Sequence, residues 1–228
     1  MKKGKAYAHK SGNQKGDLYH TPKSLVWVAE DIIRNEFHSF IYEPCYGNGA
    51  IFDELNKIYN GTIFKSDLYT MLGGHDYLNS PEEIYKVYDQ VITNPPFSLW
   101  DEFVLKAKTH CKKFMFIGRL NYFGTQSRLK KGIWNNLKGV YPFSRYVDYQ
   151  TPYRIDGFFH VGAMATAWFL WDMEYSGNLD FRILDVNKYA VLGSYLKTCN
   201  CGNKVKPDNK SEIWFCERCN YEVYRRVS

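Results

Sequence analysis

Four consecutive residues, Asn94-Pro95-Pro96-Phe97, constrain this chain more than any other feature. They follow a short apolar run, Gln90-Val91-Ile92-Thr93, that reads as a buried strand, so they form the loop at a strand's carboxyl end. In open parallel α/β sheets that edge is where ligands bind. The two prolines fix φ and remove two backbone donors, leaving carbonyls that can only accept. The Asn94 side-chain oxygen is a further acceptor, and Phe97 offers a flat ring on which a planar base can stack. Such a loop suits a planar –NH2 group, because two acceptors on its two hydrogens draw the nitrogen towards tetrahedral geometry and free its lone pair for attack. A proline-rich turn that merely ends a strand is the plainer alternative.

The rest of the chain alternates between strand and helix patterns. Thr21-Pro22 opens a predicted helix with proline in its first turn, followed by Val26, Ile33 and Phe37 near helical spacing. Ser39–Glu43 reads as a first strand, which Gly47-Asn48-Gly49 turns into a helix over residues 50–59. A second strand over residues 62–66 ends at Asp67, and a poorly defined third lies near Asp76. Ser98–His110 reads as a helix capped by Ser98, with Asp101 and Glu102 in its first turns. A strand over Lys113–Gly118, a helix over Gln126–Leu137 and strands near Arg145–Tyr149 and Ala165–Trp171 follow. This alternation predicts an α/β fold with a mostly parallel twisted sheet and helices on both faces. At 228 residues and 45% hydrophobic composition, the chain can bury one such domain with a small appendage. The boundary is drawn between residues 1–194 and a tail over residues 195–228.

The loop resembles that of the amino-methyltransferases that use S-adenosylmethionine (SAM), most closely those methylating adenine in DNA. Three further segments fit that family's order. Tyr19-His20-Thr21-Pro22 is similar to its N-terminal Tyr-x-Thr-Pro element, Glu43-Pro44-Cys45-Tyr46-Gly47-Asn48-Gly49 to its cofactor loop, and Gly74-His75-Asp76-Tyr77-Leu78 to the acidic element before the catalytic strand. Thr-Pro, then glycine loop, then Asn-Pro-Pro-Phe is the gamma arrangement. The resemblance covers roughly residues 17–120 with motifs and fades to hydrophobic pattern towards residue 172. It implies a Rossmann-like methyltransferase fold with SAM as cofactor. By that resemblance Tyr19, Thr21, Pro22, Gly47 and Gly49 close around the cofactor, Glu43 faces its methionine part and Asp76 its adenine amine. Asp67, at the end of a second strand, is placed to hydrogen-bond ribose hydroxyls, as second-strand carboxylates do in nucleoside-binding α/β folds. Glu43 stands where Asp is commoner.

Charge is unevenly distributed. Residues 25–111 carry six Lys/Arg against thirteen Asp/Glu, whereas residues 112–154 carry nine against one. That basic stretch directly follows the Asn-Pro-Pro-Phe half and is interleaved with aromatics, which suits a polyanion passing the site. A solvated basic face is the bland alternative. Arg119 and Asn121, just after the Lys113–Gly118 strand, with Arg128, Lys130 and Lys131, are the candidate nucleic-acid contacts.

Cys199-Asn200-Cys201 and Cys216-Glu217-Arg218-Cys219 form a C-x-C, fourteen-residue, C-x2-C pattern. Two cysteine pairs on two turns can converge as four thiolates around tetrahedral zinc, giving a zinc ribbon. The close first pair leaves another metal open, and disulfides are the alternative. No apolar run is long enough to cross a bilayer, and the basic start leads into polar residues rather than an apolar segment. A cytoplasmic setting is therefore expected, where cysteines stay reduced or bind metal. Taken with the resemblance, these features imply SAM-dependent methylation of the adenine amine in DNA, with RNA bases or a protein glutamine as other substrates for the same loop. A catalytically idle fold serving as a zinc-anchored nucleic-acid-binding module is the reading from another class.

Overall fold

In the computed structural model the described residues are 21–68, 74–81, 88–147, 149 and 164–186, with the backbone of residues 206–207, 214–216 and 221–222. Two short helices, α1 (Ser24–Trp27) and α2 (Glu30–Glu36), precede β1 (Ile41–Glu43), α3 (Ala50–Ile58) and β2 (Ile63–Lys65). Then come β3 (Gln90–Thr93), a 3-10 turn at Phe97–Leu99, α4 (Trp100–His110) and β4 (Lys113–Arg119). A second 3-10 turn at Leu120–Gly124, α5 (Gln126–Lys130), β5 (Leu137–Pro142), β6 (Thr166–Asp172) and β7 (Asp180–Phe181) complete the domain. Three further strands, β8 (Lys206–Pro207), β9 (Trp214–Cys216) and β10 (Tyr221–Glu222), form a small antiparallel sheet.

The main sheet has seven strands in the order β2-β1-β3-β4-β6-β5-β7. β2, β1, β3 and β4 are mutually parallel, whereas β6 runs antiparallel between β4 and β5. Because β6 opposes both its neighbours, β5 points the same way as β4, and its carboxyl end lies on the same edge. Strand order reverses between β1 and β3, so the loops after those two strands flank the switch point where such sheets bind ligands.

Side-chain alternation assigns each strand residue to one of two cores. Ile92, Met115, Ile117, Trp168 and Leu170 face α1, α2 and α3, joining Leu25, Ile33, Ile51 and Leu55. Val91, Phe114, Phe116, Phe169 and Trp171 face α4, joining Trp100, Phe103 and Val104. Trp168 donates its indole N–H to the Leu25 carbonyl at 2.7 Å and Trp100 to that of Ile117 at 2.9 Å, so both buried indoles are satisfied.

Several expectations are corrected. The helix predicted from Thr21 breaks at Val28–Ala29 into two. Near Asp76 there is a turn rather than a strand. Phe97–Leu99 winds as 3-10, which moves the N-terminus of α4 one residue past Ser98, to Leu99, and no side chain caps it. The predicted helix over Gln126–Leu137 stops at Lys130, because Gly132 and Asn136 take positive φ (67° and 59°). Leu137 instead begins β5, and the strand expected near Arg145–Tyr149 is reduced, among the described residues, to one bridge between Val147 and Met164.

Candidate active site

β1 ends at Glu43 and β3 at Thr93, so the glycine loop and the Asn-Pro-Pro-Phe loop lie side by side on the carboxyl edge. Gly47 and Gly49 both take positive φ, 53° and 84°. The left-handed φ of Gly49 favours glycine where the turn feeds α3, and a Cβ there would also have to displace the Tyr46 hydroxyl, 2.7 Å away. Asp67, buried at the end of β2, accepts the Gly47 N–H at 2.7 Å and thereby holds the loop's shape. A hydrogen bond to a charged acceptor of this kind contributes about 1.5–3 kcal/mol. Asp67 thus has a structural duty that its expected ribose role did not include.

Glu43 is 1% exposed and its Oε2 atom has no partner. Burial pushes its carboxyl well above the usual range, and the nearby Asp53 and Asp67 push the same way, although the Phe52 N–H and Lys65 favour the charged form. A buried carboxylate oxygen without a partner costs free energy unless something completes it. The residues therefore fit a ligand that brings a cation or donor to Glu43 and polar groups to a glycine-lined turn. An aminoacyl-nucleoside sulfonium such as SAM has both.

Asn94 shows a second uncompleted group. Its Nδ2 donates to the Thr21 hydroxyl at 3.0 Å, across 73 residues of sequence. With the amide held that way round, Oδ1 is buried and without a partner. Thr21 is 8% exposed, so this tie is shielded from water. The Thr-Pro element and the catalytic-type loop are thereby joined directly.

Pro95 is buried, and the Pro96 carbonyl accepts Leu99 N–H at 3.0 Å, which starts the 3-10 turn. Phe97 is only 5% exposed: its carbonyl accepts the Tyr122 hydroxyl at 3.0 Å, Tyr149 meets its ring edge-on at 5.6 Å, and the Arg119 guanidinium lies over it at 4.8 Å. Arg119 Nε is also buried and without a partner. The ring face is therefore covered by an ion that a stacking base would have to replace.

Of the remaining candidates, Pro22 lies beside Thr21 and its carbonyl accepts Leu25 N–H at 3.0 Å, while Tyr19 falls outside the described residues. Asp76 accepts the N–H groups of Leu78 and Asn79 and the Asn79 amide at 3.0, 3.2 and 2.6 Å, so it caps a turn. Asn121 and Lys130 are exposed. Arg128 and Lys131 share Asp101, at 2.5 and 3.1 Å, and Arg128 also lies over the Tyr122 ring at 4.0 Å, so part of the basic stretch is neutralised within the fold. Cys199, Cys201 and Cys219 lie outside the described residues. The backbone of Cys216 ends β9 opposite Tyr221. Among the described residues no cluster of His, Cys, Asp or Glu could hold a metal.

Tyr122 and Tyr149 were legible only as aromatics in a basic stretch, yet they anchor the carbonyl and ring of Phe97. Tyr149 itself is fixed by its hydroxyl donating to Thr166 at 2.8 Å. No local pattern reveals such a wall, because it depends on β6 returning beside β4.

The parallel strands with a reversed β6, and the two loops at the switch point, make a Rossmann-like α/β fold. The methyltransferase subunit of a type I restriction-modification system from Streptococcus thermophilus shares it, with a TM-score of 0.52 at 14% identity over 77% of this chain. The chain spans 49% of that subunit's length. A candidate RNA methyltransferase from Pyrococcus horikoshii is similar at TM-score 0.47 and 16% identity, over 72% of this chain and 90% of its own. No curated protein sequence matches the chain. Residues 47–137 match the family described as adenine-specific methyltransferase EcoRI. That segment runs from the glycine loop through Asn-Pro-Pro-Phe to the start of β5 and leaves out Thr21 and Glu43.

Proposed function

We propose that the protein transfers a methyl group from SAM to the exocyclic amine of adenine in DNA. The observation that carries this is Asn94: Thr21 fixes its amide so that a buried Oδ1 without a partner remains in an Asn-Pro-Pro-aromatic loop. The match of residues 47–137 to an adenine-specific family supports the substrate base.

When bound, SAM supplies an electrophilic methyl group. Glu43, Gly47, Gly49 and Asp67 would hold it, with Asp76 at the adjoining turn. Asn94 Oδ1 and the Pro95 carbonyl accept the two amine hydrogens of the target base, drawing its nitrogen out of conjugation. Positioning and electrostatics then carry the rate. The base must leave the duplex to reach this edge, since its amine is otherwise paired. Burial raises the Cys45 and Cys111 thiols above their ordinary pKa, which disfavours either as a thiolate nucleophile. The basic residues after β4 supply the phosphate contacts, and the tail's four cysteines hold one zinc ion.

Incubation with methyl-labelled SAM and, separately, DNA and RNA, followed by digestion to nucleosides, tests the reading. Label in N-methyladenine from DNA is the expected result. Label confined to RNA, cytosine or protein overturns it.

A further inference from the structure

One cavity of about 320 Å3 lies apart from the two loops just described, lined by Phe143, Ser144, Arg145, Tyr146 and Ala165. We propose that it is a subsite for a nucleotide of the target strand next to the one being modified. The proposal rests on the nucleic-acid reading above and adds a second, base-binding contact to it.

Position comes first. Phe143 directly follows β5 and Ala165 directly precedes β6, so the cavity opens on the same sheet edge as Asn94. The Leu120 N–H donates to the Ala165 carbonyl at 2.9 Å, which places one wall immediately beside the end of β4. β4 and β6 lie between this cavity and β3. Two to three strand spacings of ~4.8 Å put it roughly 10–15 Å from the catalytic loop. That is too far to share the target base and suits a flanking one, the place where enzymes that extrude a base commonly take additional contacts. The volume sits at the small end of ligand sites, enough for one base with its sugar.

The lining chemistry agrees. Phe143 is a buried apolar wall, Arg145 brings positive charge, and Tyr146 stands at the rim, 52% exposed, presenting a ring with a polar tip. An exposed aromatic at an open rim is the usual platform for a base of any identity. The wall is also tied by hydrogen bonds. Ser144 donates its hydroxyl to Asp185 at 3.1 Å and accepts Val186 N–H at 3.2 Å, while its own N–H donates to the Leu184 carbonyl at 2.9 Å. Finally, the segment that lines the cavity continues to the Val147–Met164 bridge and to Tyr149, whose ring packs edge-on against Phe97. A nucleotide seated here would brace the wall behind Phe97.

The test separates base from phosphate. Affinity is measured for a single-stranded DNA oligonucleotide and for one of equal length built entirely of abasic sugars, with the full chain and its Tyr146→Ala and Tyr146→Phe variants. Tyr146→Ala should weaken binding of the ordinary strand by at least about fivefold, the low end of the stacking range, and leave the abasic strand unchanged. Tyr146→Phe should restore the preference. Equal losses on both strands, or no loss on either, overturns the subsite. Because no methylation is read, a failed nucleoside assay with an intact Tyr146 effect would reject adenine methylation and leave the subsite standing. The reverse result would reject the subsite alone.

Discussion

At the scale of single residues, the site is a set of polar groups that the fold leaves unfinished. If the proposed transfer is right, Asn94→Ala removes an acceptor used as the target nitrogen becomes tetrahedral, so turnover should fall about 100-fold or more while cofactor affinity holds. Single-turnover kinetics on saturating DNA measures it. Thr21→Val should act more mildly, because it frees the Asn94 amide to rotate rather than deleting it. One neutral hydrogen bond corresponds to about 1 kcal/mol, so a loss of about fivefold is expected, recovered by Thr21→Ser. Glu43 makes a pH statement. Its raised pKa means the folded, cofactor-free protein holds a proton that the unfolded chain releases, so this contribution to stability is full below the ordinary carboxylate range and declines as pH rises through the raised value. Cofactor binding runs the other way: a ligand cation opposite Glu43 requires the carboxylate, so affinity should climb with pH over the same window. Glu43→Gln should raise the melting temperature of the cofactor-free protein at neutral pH and flatten the pH dependence of cofactor affinity. Calorimetry across pH reads both.

At the scale of elements, β4 and α4 meet at a point of unusual closeness. A Cβ on Gly118 would lie 2.7 Å from the Trp100 indole, whose N–H is already bound to the neighbouring Ile117 carbonyl. Gly118→Ala should therefore cost about 1–3 kcal/mol by overpacking, a fall of roughly 2–4 °C in melting temperature per kcal/mol for a chain of this size. Thermal denaturation checks it. What the sequence made legible follows the same physics. β1, β3, β4 and β6 are largely buried on both faces and read as mostly apolar runs, and the order of the motifs put the two candidate loops after neighbouring strands, β1 and β3. The stretch after Lys130 misleads because Leu129, Ile133 and Leu137 keep helical spacing, although Gly132 among them takes the positive φ that stops the helix. The Asn94–Thr21 tie and the Tyr149 wall were not legible, since each joins residues that only the folded sheet brings together.

At the scale of the whole molecule, the basic residues after β4 divide into exposed and paired ones. Lys130 is exposed, whereas Lys131 shares Asp101 with Arg128. Lys130→Ala should lower the slope of log affinity against log salt by nearly one unit and Lys131→Ala by less, which titrations of DNA binding at several salt concentrations resolve. Metal analysis of protein purified without added metal should find one zinc per chain, lost together with structure in the tail on chelation. A stoichiometry near zero would reject that. Among the described residues no helix is long and apolar enough to cross a membrane. The reversed strand β6 has one last consequence. Because it runs back between β4 and β5, the connection from β5 to β6 leaves and rejoins the sheet at one spot, where Phe143 N–H meets the Thr166 carbonyl at 3.1 Å. Both anchors stand on the carboxyl edge of the parallel strands, beside the two candidate loops. Chain exchanged beyond Tyr149 and before Met164 would be free to vary in length, since each doubling of a loop costs only about 0.6 kcal/mol in closure entropy. The topology thus offers a grafting point, where a different surface segment could be spliced in while the sheet, the Tyr149 contact with Phe97 and the loops on its edge are kept.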